Sequence, residues 1–386
     1  MLDMAPFAAL RVTLTIPPPL TYRTMTAPRH LIIADGDFGP MTSKTANSII
    51  RYHPERTVAV LDRRHAGQTV QDVLGFGGAI PVVGTMREGL ALKPTAVLIG
   101  IAPKGGQLPA EWRGWLGEAL DAGCDVWNGL HNFLADDPVL AAKARAKGRT
   151  LHDLRRPPAD LPIASGLAKV LEPLVVLTVG TDCNVGKMTA QLQLTRKLEE
   201  RGIRTRFVPT GQTGIMIEGW GIAVDAVVAD FIAGAAERLT VEGSEDADVV
   251  LVEGQGSINH PGYSGVTLGL MHGSCPDAMI LCHQSSRQFI GDYREAAWLR
   301  IPPLGEYVRL YESIGATVHP TRVIGISLNT YDLSDVEARR ACDRAEQETG
   351  LPATDPVRFD SAPLVNAIAQ ERERYLQTRK ARQAAP

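Results

Sequence analysis

Short apolar runs alternate with amphipathic stretches along the first 155 residues. Four apolar runs have the length of strands, at 30–34, 57–61, 80–83 and 96–101. Three stretches have helical spacing, at 43–52, 112–122 and 138–147. Strands that alternate with helices predict a parallel sheet covered on both faces. We therefore expect an α/β, Rossmann-like parallel-sheet domain at residues 28–155.

The second half of the chain repeats this alternation. Residues 174–179 form an uninterrupted apolar run, which is typical of a strand buried on both faces. The further predicted strands are 205–208, 249–252, 278–281 and 323–328, and the predicted helices are 188–201, 224–238 and one that begins at the Ser334-x-x-Glu337 capping box. This pattern predicts a second parallel-sheet domain at residues 173–380.

Two segments outside these domains lack a regular pattern. Residues 156–172 are rich in proline, which lacks a backbone donor and disfavours helix and strand alike, so they are interpreted as a linker. Residues 1–27 lack the basic start and clean apolar core of a signal peptide, and we expect them to be a disordered extension.

Charge, hydropathy and cysteine content narrow the classes of partner. The chain has 40 Lys and Arg against 43 Asp and Glu, a net charge of −3, and no long basic block, so nucleic acid is not an expected partner. The sequence contains no run of about 18 apolar residues, so a membrane span is not expected. Five scattered cysteines form no C-x-x-C pair, which predicts a cytoplasmic protein without a disulfide framework or structural zinc site. We expect small-molecule substrates, no bound metal and a homo-oligomer.

The strongest chemical signal is a phosphate-binding loop directly after the run 174–179. Residues 180–187 match G-x-x-x-x-G-K, and the motif stands between a predicted buried strand and a predicted helix, as a P-loop requires. Backbone N–H groups, the helix N-terminus and Lys187 would all face a phosphate group. The predicted cofactor-binding residues are Gly180, Thr181, Asp182, Cys183, Asn184, Val185, Gly186, Lys187, Met188 and Thr189. The second domain is therefore predicted to be P-loop NTPase-like.

The loop departs from the standard pattern at the residue after the lysine. That position holds Met188, whereas NTPases place there a Ser or Thr hydroxyl that binds Mg²⁺. A thioether is a poor ligand for Mg²⁺, and Thr189 is displaced by about 100° around the helix. The motif can hold a diphosphate, but its usual metal site is compromised unless a carboxylate binds the metal instead.

Other polar residues are predicted to lie at the same edge of the sheet. Glu253 ends the run 249–252, where ligands of parallel sheets bind, and His260 lies in the glycine-rich loop that follows. Together with Lys187 they are the predicted catalytic residues, and either Glu253 or His260 is the candidate base. The predicted substrate-binding residues are Gln212, Thr213, Tyr263 and Arg287, of which Arg287 would clamp a carboxylate.

Several of these motifs resemble known families. The P-loop together with Gln212-Thr213-Gly214 and Val252-Glu253-Gly254 is similar to the dethiobiotin synthetase and cobyric-acid synthase class, which uses ATP to activate a carboxylate. A closer resemblance covers nearly the whole chain from residue 28. It is carried by 180–183, 211–214, 223–231 and 253–257, and it points to a family long described as a domain of unknown function.

That family pairs a Rossmann-like domain with a P-loop domain and includes a D-glutamate N-acetyltransferase. The resemblance therefore implies an acetyl-CoA-dependent N-acyltransferase that acts on an acidic amino acid, D-glutamate first. Coenzyme A contains a diphosphate, and acyl transfer needs no Mg²⁺, which agrees with Met188. Two alternatives remain open: a ligase that uses ATP with Mg²⁺, and a regulatory nucleotide-binding protein without turnover.

Overall fold

A computed structural model gives the fold of the chain and describes residues 28–101, 108–291 and 298–384. The extension expected at 1–27 lies outside these residues. Two parallel sheets of six strands each form the frame, and helices connect successive strands. The predicted fold class, two α/β parallel-sheet domains, is confirmed.

The first sheet has the strand order β3-β2-β1-β4-β5-β6. Its strands are β1 His30–Ile33, β2 Thr57–Leu61, β3 Val82–Val83, β4 Ala96–Ile99, β5 Asp125–Asn128 and β6 Leu151–Asp153. Its helices are α1 Lys44–Tyr52, α2 Val70–Leu74, α3 Met86–Ala91, α4 Ala110–Asp121 and α5 Pro138–Lys147. The central strands β1 and β4 are wholly buried, as their continuous apolar sequence requires.

The second sheet has the strand order β12-β11-β10-β7-β9-β8. Its strands are β7 Leu174–Gly180, β8 Thr205–Val208, β9 Val249–Val252, β10 Ala278–Gln284, β11 Arg322–Asn329 and β12 Ala353–Thr354. Its helices are α6 Lys187–Glu200, α7 Gln212–Glu218, α8 Ala229–Gly243, α9 Ser264–Ser274, α10 Leu304–Gly315, α11 Asp335–Thr349 and α12 Ala362–Ala384. Strand β7 lies between β9 and β10, so the loops that follow these three strands share one edge.

The predicted helix at 224–238 is wrong in its first part. Val224–Ala226 form a 3-10 turn, Val227 and Val228 are extended, and α8 begins only at Ala229. Asp225 therefore lies outside α8. Instead, Asp225 forms an ion pair with Arg155, at the end of the first domain.

The two domains share an apolar core. The buried cluster of the first domain continues into the second through Met188, Leu192 and Phe207 and through the apolar residues of α7. Polar contacts join the same surfaces, because Thr45 Oγ1 lies 2.9 Å from Thr213 Oγ1. The carboxyl edge of the second sheet therefore faces the first domain.

The segment predicted as a linker, 156–172, lies against α8. The Glu237 carboxylate accepts hydrogen bonds from the backbone N–H groups of Ser165, Gly166 and Leu167. These bonds fix the segment on the second domain. Within the described residues, no helix is both long enough and apolar enough to cross a membrane.

Candidate active site

The P-loop is a backbone cradle between β7 and α6. Asn184 has φ 55° and Gly186 has φ 102°, so both lie in the left-handed region and the chain can turn its backbone N–H groups inward. Helix α6 begins at Lys187 with Gly186 as its N-cap residue. Unpaired N–H groups and the helix dipole favour an anion at this position. The cradle is therefore suited to a phosphate or diphosphate group.

Lys187 holds its ammonium inside this cradle. The side chain is buried, and Nζ donates hydrogen bonds to the carbonyl oxygens of Asp182, at 2.8 Å, and Gly256, at 2.9 Å. Burial lowers the pKa of Lys187 from its usual value. A negatively charged ligand beside Nζ would offset this effect, because an opposite charge favours the protonated amine. Lys187 thus lies at the position where the motif predicts a phosphate-binding cation.

Two tyrosines of α10 form hydrogen bonds with backbone carbonyls of the P-loop. Tyr311 Oη donates to the carbonyl of Gly180, at 2.7 Å, and accepts from the N–H of Ile258, at 3.0 Å. Tyr307 Oη lies 3.0 Å from the carbonyl oxygen of Thr181. Burial raises the pKa of Tyr307 to about 12, so this phenol stays neutral at physiological pH. We did not predict this support, although the i, i+4 spacing of the two tyrosines was a usable signal.

Arg287 binds the protein itself at the position where we expected a substrate clamp. Its Nη1 lies 2.7 Å from Asp182 Oδ2 and 2.8 Å from the carbonyl oxygen of Cys183, and its Nη2 donates to Gln284. Asp182 is fully buried and also accepts the N–H of Gly291 at 2.8 Å. Both ends of the guanidinium are therefore engaged. Arg287 is therefore a cation that fixes the backbone of the P-loop, and a carboxylate clamp at this residue stays a prediction.

Glu253 is buried at the end of β9. Its Oε2 accepts hydrogen bonds from the N–H groups of Thr210, at 3.0 Å, and Gly211, at 3.1 Å, which lead into α7. No described residue forms a hydrogen bond with Oε1. Burial raises the pKa of Glu253, and the charge of Lys44 and the two N–H bonds partly counteract this effect. A carboxylate with a raised pKa and one free oxygen has the properties of a general base.

The residue after this acid must be glycine. A Cβ atom at Gly254 would lie 1.6 Å from the backbone oxygen of Thr178 in the neighbouring strand. The Gly254 N–H donates to the hydroxyl of the same Thr178 at 3.0 Å. This close approach brings Glu253 and the following loop against the P-loop.

His260 lies beside the cradle and is a hydrogen-bond donor. Its Nδ1 accepts the backbone N–H of Gly262 at 3.0 Å, so the proton of the neutral ring is on Nε2. Nε2 is buried without a hydrogen-bond partner in the described structure, and it lies 4.0 Å from Asp182 Oδ1. Burial lowers the pKa of His260, which favours the neutral ring. In this tautomer neither ring nitrogen has a free lone pair, which favours a donor role for His260 over the predicted role as a base.

Three potential metal ligands meet at the same place. One ligand atom each of Asp182, Cys183 and His260 lie within 4.8 Å of one another. A histidine that binds a metal usually donates its other N–H to an acceptor, whereas Nδ1 of His260 is itself an acceptor. Burial also raises the pKa of Cys183, which opposes the thiolate that a metal needs. In this arrangement the cluster does not have the properties of a metal site.

The other predicted substrate residues are spread around this edge. Thr213 is buried and its hydroxyl contacts Thr45 of the first domain, so the structure uses it as a contact between domains. Gln212 begins α7 and packs closely against Gly129, where a Cβ atom would lie 2.8 Å from its Cγ. Tyr263 is 39% exposed, and its ring centroid is 4.5 Å from that of His260. Of this set, Tyr263 is the side chain most available to a ligand.

Lys44 is a site residue that sequence reasoning missed. It is exposed at the first position of α1 in the first domain, next to the Thr45–Thr213 contact. Its positive charge opposes the burial effect on the pKa of Glu253. No motif of the second domain points to this lysine, since only the packing of the domains brings it near.

Met188 is buried at 4% exposure in the core that the domains share. Its side chain therefore faces the apolar interior at the position where NTPases present a hydroxyl to the metal. The residue that departs from the standard P-loop, Met188, is thus part of the contact between the domains.

Both domains match families of known proteins. The DUF1611_C P-loop domain, described as a domain of unknown function, matches residues 162–365. The DUF1611_N Rossmann-like domain, described in the same way, matches residues 63–157. Both domain descriptions agree with the observed sheets.

Named relatives match along most of the chain. A D-glutamate N-acetyltransferase from Tritonibacter scottomollicae is 43% identical over 286 residues, which are 74% of this chain and 84% of that protein. One from Pseudoalteromonas sp is 36% identical over 272 residues, 70% of this chain and 80% of that protein. The crystal structure of a DUF1611 family protein from Anabaena variabilis is 40% identical, with a TM-score of 0.84 over 89% of this chain and 99% of that chain.

Proposed function

The chain belongs to the DUF1611 family, and we propose that it is an acetyl-CoA-dependent N-acetyltransferase of D-glutamate. Two relatives that bear the name D-glutamate N-acetyltransferase are 43% and 36% identical to it over most of their length. The name of these relatives supports D-glutamate as the acceptor, and the geometry of the site supports the cofactor and the roles of the residues.

The observation that carries the cofactor assignment is a P-loop that lacks its metal-binding hydroxyl. The cradle at 180–187 and the ammonium of Lys187 fit a diphosphate, and coenzyme A contains one. Met188 is buried in the domain core, so α6 offers Mg²⁺ no ligand at that position. When bound, acetyl-CoA supplies an acetyl group that is already activated as a thioester. A reaction of this kind needs neither a γ-phosphate nor a metal ion.

Glu253 is the group that we assign to proton transfer. Formation of an amide from an amine and a thioester releases a thiol, and the amine must lose a proton on the way. The free Oε1 of Glu253 can accept this proton, while Oε2 stays bound to the N–H groups of Thr210 and Gly211. Burial raises the pKa of this carboxyl, which makes its carboxylate a stronger base.

We assign His260 and Lys44 to the stabilisation of negative charge on the reacting groups. The N–H at Nε2 of His260 has no partner, and such a donor stabilises an oxygen that gains negative charge during acyl transfer. Lys44 is a cation at the domain boundary, and D-glutamate carries two carboxylates. We assign Lys44 to the recognition of one of them.

The transfer reaction itself tests the proposal. Purified protein is incubated with acetyl-CoA and D-glutamate without ATP, and N-acetyl-D-glutamate is quantified by mass spectrometry beside L-glutamate and D-aspartate reactions. We expect product from D-glutamate, and a loss of about 10²-fold or more in kcat for Glu253→Gln, which keeps the shape of the side chain but removes the base. Absence of acetylated product, or product formation only with ATP and Mg²⁺, contradicts the proposal and favours the ligase.

A further inference from the structure

A cavity of about 680 Å³ opens beside the P-loop, on the side of β10 and β11. Two of its lining residues also contact the loop. His283 Nδ1 lies 2.9 Å from the hydroxyl of Thr181, and Arg287 binds Asp182. A ligand whose diphosphate occupies the P-loop would therefore have its next group at the entrance of this cavity.

One wall of the cavity is apolar and well fixed. It includes Ile301, Pro302, Leu304 and Leu328. The strand-like segment that carries Ile301 is held by backbone bonds, because the N–H of Ile301 donates to the carbonyl of Gln288 at 2.9 Å. An ordered apolar surface of this kind suits a nucleobase, which gains stability from contact along its ring face.

Charged side chains complete the lining, with two arginines, Arg300 and Arg344, and two carboxylates, Glu306 and Glu348. Arg344 projects from the face of α11 that also presents Ala341, Ala345 and Glu348 to the cavity, and Arg300 lies next to Ile301. Neither arginine forms a hydrogen bond or ion pair with a described residue. The nearby Glu348 carboxylate accepts the N–H of Gly305 at 3.1 Å. Two free guanidinium groups beside an apolar wall favour an anionic group attached to a base, and guanidinium is well matched to phosphate.

We propose that this cavity binds the 3′-phosphoadenosine end of coenzyme A, with the base against Ile301 and Leu328 and the 3′-phosphate between Arg300 and Arg344. The inference rests on the proposed function, since it takes acetyl-CoA as the ligand of the P-loop. It adds the group that distinguishes coenzyme A from ADP and ATP, neither of which has a 3′-phosphate. The cavity thus gives the protein selectivity for coenzyme A that the P-loop alone does not provide.

The test compares acetyl-CoA with acetyl-3′-dephospho-CoA in the transfer reaction. We expect the wild type to have a KM at least about tenfold lower for acetyl-CoA, because each charge-assisted hydrogen bond to phosphate contributes roughly this factor or more. The Arg300→Ala, Arg344→Ala double variant loses this difference and keeps kcat within about twofold. Arg87→Ala, an exposed arginine of α3 outside the cavity, is the matched control and behaves like the wild type.

Equal KM values for the two thioesters in an active wild-type enzyme overturn the cavity assignment and leave the proposed function intact. A second measurement does not depend on turnover: calorimetric titration with adenosine 3′,5′-bisphosphate and with 5′-AMP. Tighter binding of the bisphosphate to the wild type, lost in the double variant, supports the cavity even if no acetyl transfer is found. Equal binding of the two nucleotides overturns it.

Discussion

At the scale of single residues, the hydrogen-bonding state of His260 decides what chemistry it can do. A backbone N–H can only donate, so the contact from Gly262 leaves Nδ1 as the acceptor and places the ring proton on Nε2. The buried Nε2 then presents a donor without a partner, which costs free energy until a ligand oxygen accepts its proton. A residue type chosen from the sequence as a base is thus a donor in the fold.

Substitution of His260 separates the two roles. We expect His260→Ala to lower kcat by about 10²-fold or more, the usual effect of removing a donor to a developing oxyanion. His260→Gln supplies an amide N–H at a similar reach and is expected to retain most of that activity. The measurement is kcat for acetyl transfer at pH 6 to 9. A glutamine variant as inactive as the alanine variant would show that the imidazole acts as a base.

At the scale of secondary structure elements, α6 joins two functions. Its first turn carries Lys187 at the phosphate cradle, and the next residue, Met188, enters the core shared by the domains. Because neighbouring residues of a helix point about 100° apart, one turn can serve both surfaces. One position could hold either a metal-binding hydroxyl or an apolar side chain for the domain contact. In this protein it holds the apolar side chain of Met188.

Replacement of Met188 by threonine tests this competition. We expect Met188→Thr to lower the free energy of unfolding by about 2 to 4 kcal/mol, because it leaves a cavity and buries a hydroxyl. The thermal melting midpoint should fall by several degrees, whereas Met188→Leu, which conserves volume, stays near the wild type. A threonine variant that keeps wild-type stability and gains Mg²⁺-dependent ATP binding would show that the position is free to serve a metal.

The sequence best predicts the elements that are specified by residues within the element itself. Strands β2, β8 and β9 and helix α5 have the predicted bounds. Short runs rich in β-branched and aromatic residues specify the strands, and a helix with its own start and stop signals specifies α5. Strands β5 and β6 were missed, since Asp125–Asn128 and Leu151–Asp153 are short and contain polar residues. The P-loop was predicted for the same local reason.

What the sequence could not predict depends on contacts between distant segments. Arg287 was expected to face a substrate, but it pairs with Asp182, 105 residues away along the chain. Thr213 is similar, since its partner Thr45 belongs to the other domain. Such pairings follow from the order of the strands and the packing of the domains, for which one sequence carries no local pattern.

At the scale of the whole molecule, two histidines couple stability to pH: His30, which is buried, and His283, which is half-buried. Burial lowers the pKa of His30, in β1, and of His283, in β10, each to about 4. Below its usual pKa of 6.5, each histidine takes up a proton in the unfolded chain but not in the folded protein. The unfolded state therefore binds more protons between pH 6.5 and 4, and acid destabilises the fold across that window.

We expect the free energy of unfolding to fall as the pH is lowered from 6.5 to 4, with about 3 kcal/mol from each histidine. His30→Leu removes one of these groups, so its stability should decline less steeply over the same range. Chemical unfolding of both proteins at several pH values provides the comparison. Parallel pH profiles for the variant and the wild type would show that His30 titrates normally in the folded protein.

We assign the P-loop to the diphosphate of acetyl-CoA, and calorimetric titration measures this binding without the transfer reaction. Acetyl-CoA with EDTA, and ATP with Mg²⁺, are titrated into the wild type, Lys187→Ala and Lys197→Ala, an exposed lysine farther along α6 that serves as the control. We predict that acetyl-CoA binds the wild type and Lys197→Ala without metal, that ATP binds more weakly, and that Lys187→Ala loses acetyl-CoA binding by about tenfold or more. Tight binding of ATP with Mg²⁺, together with acetyl-CoA binding that is absent or independent of Lys187, would contradict the account.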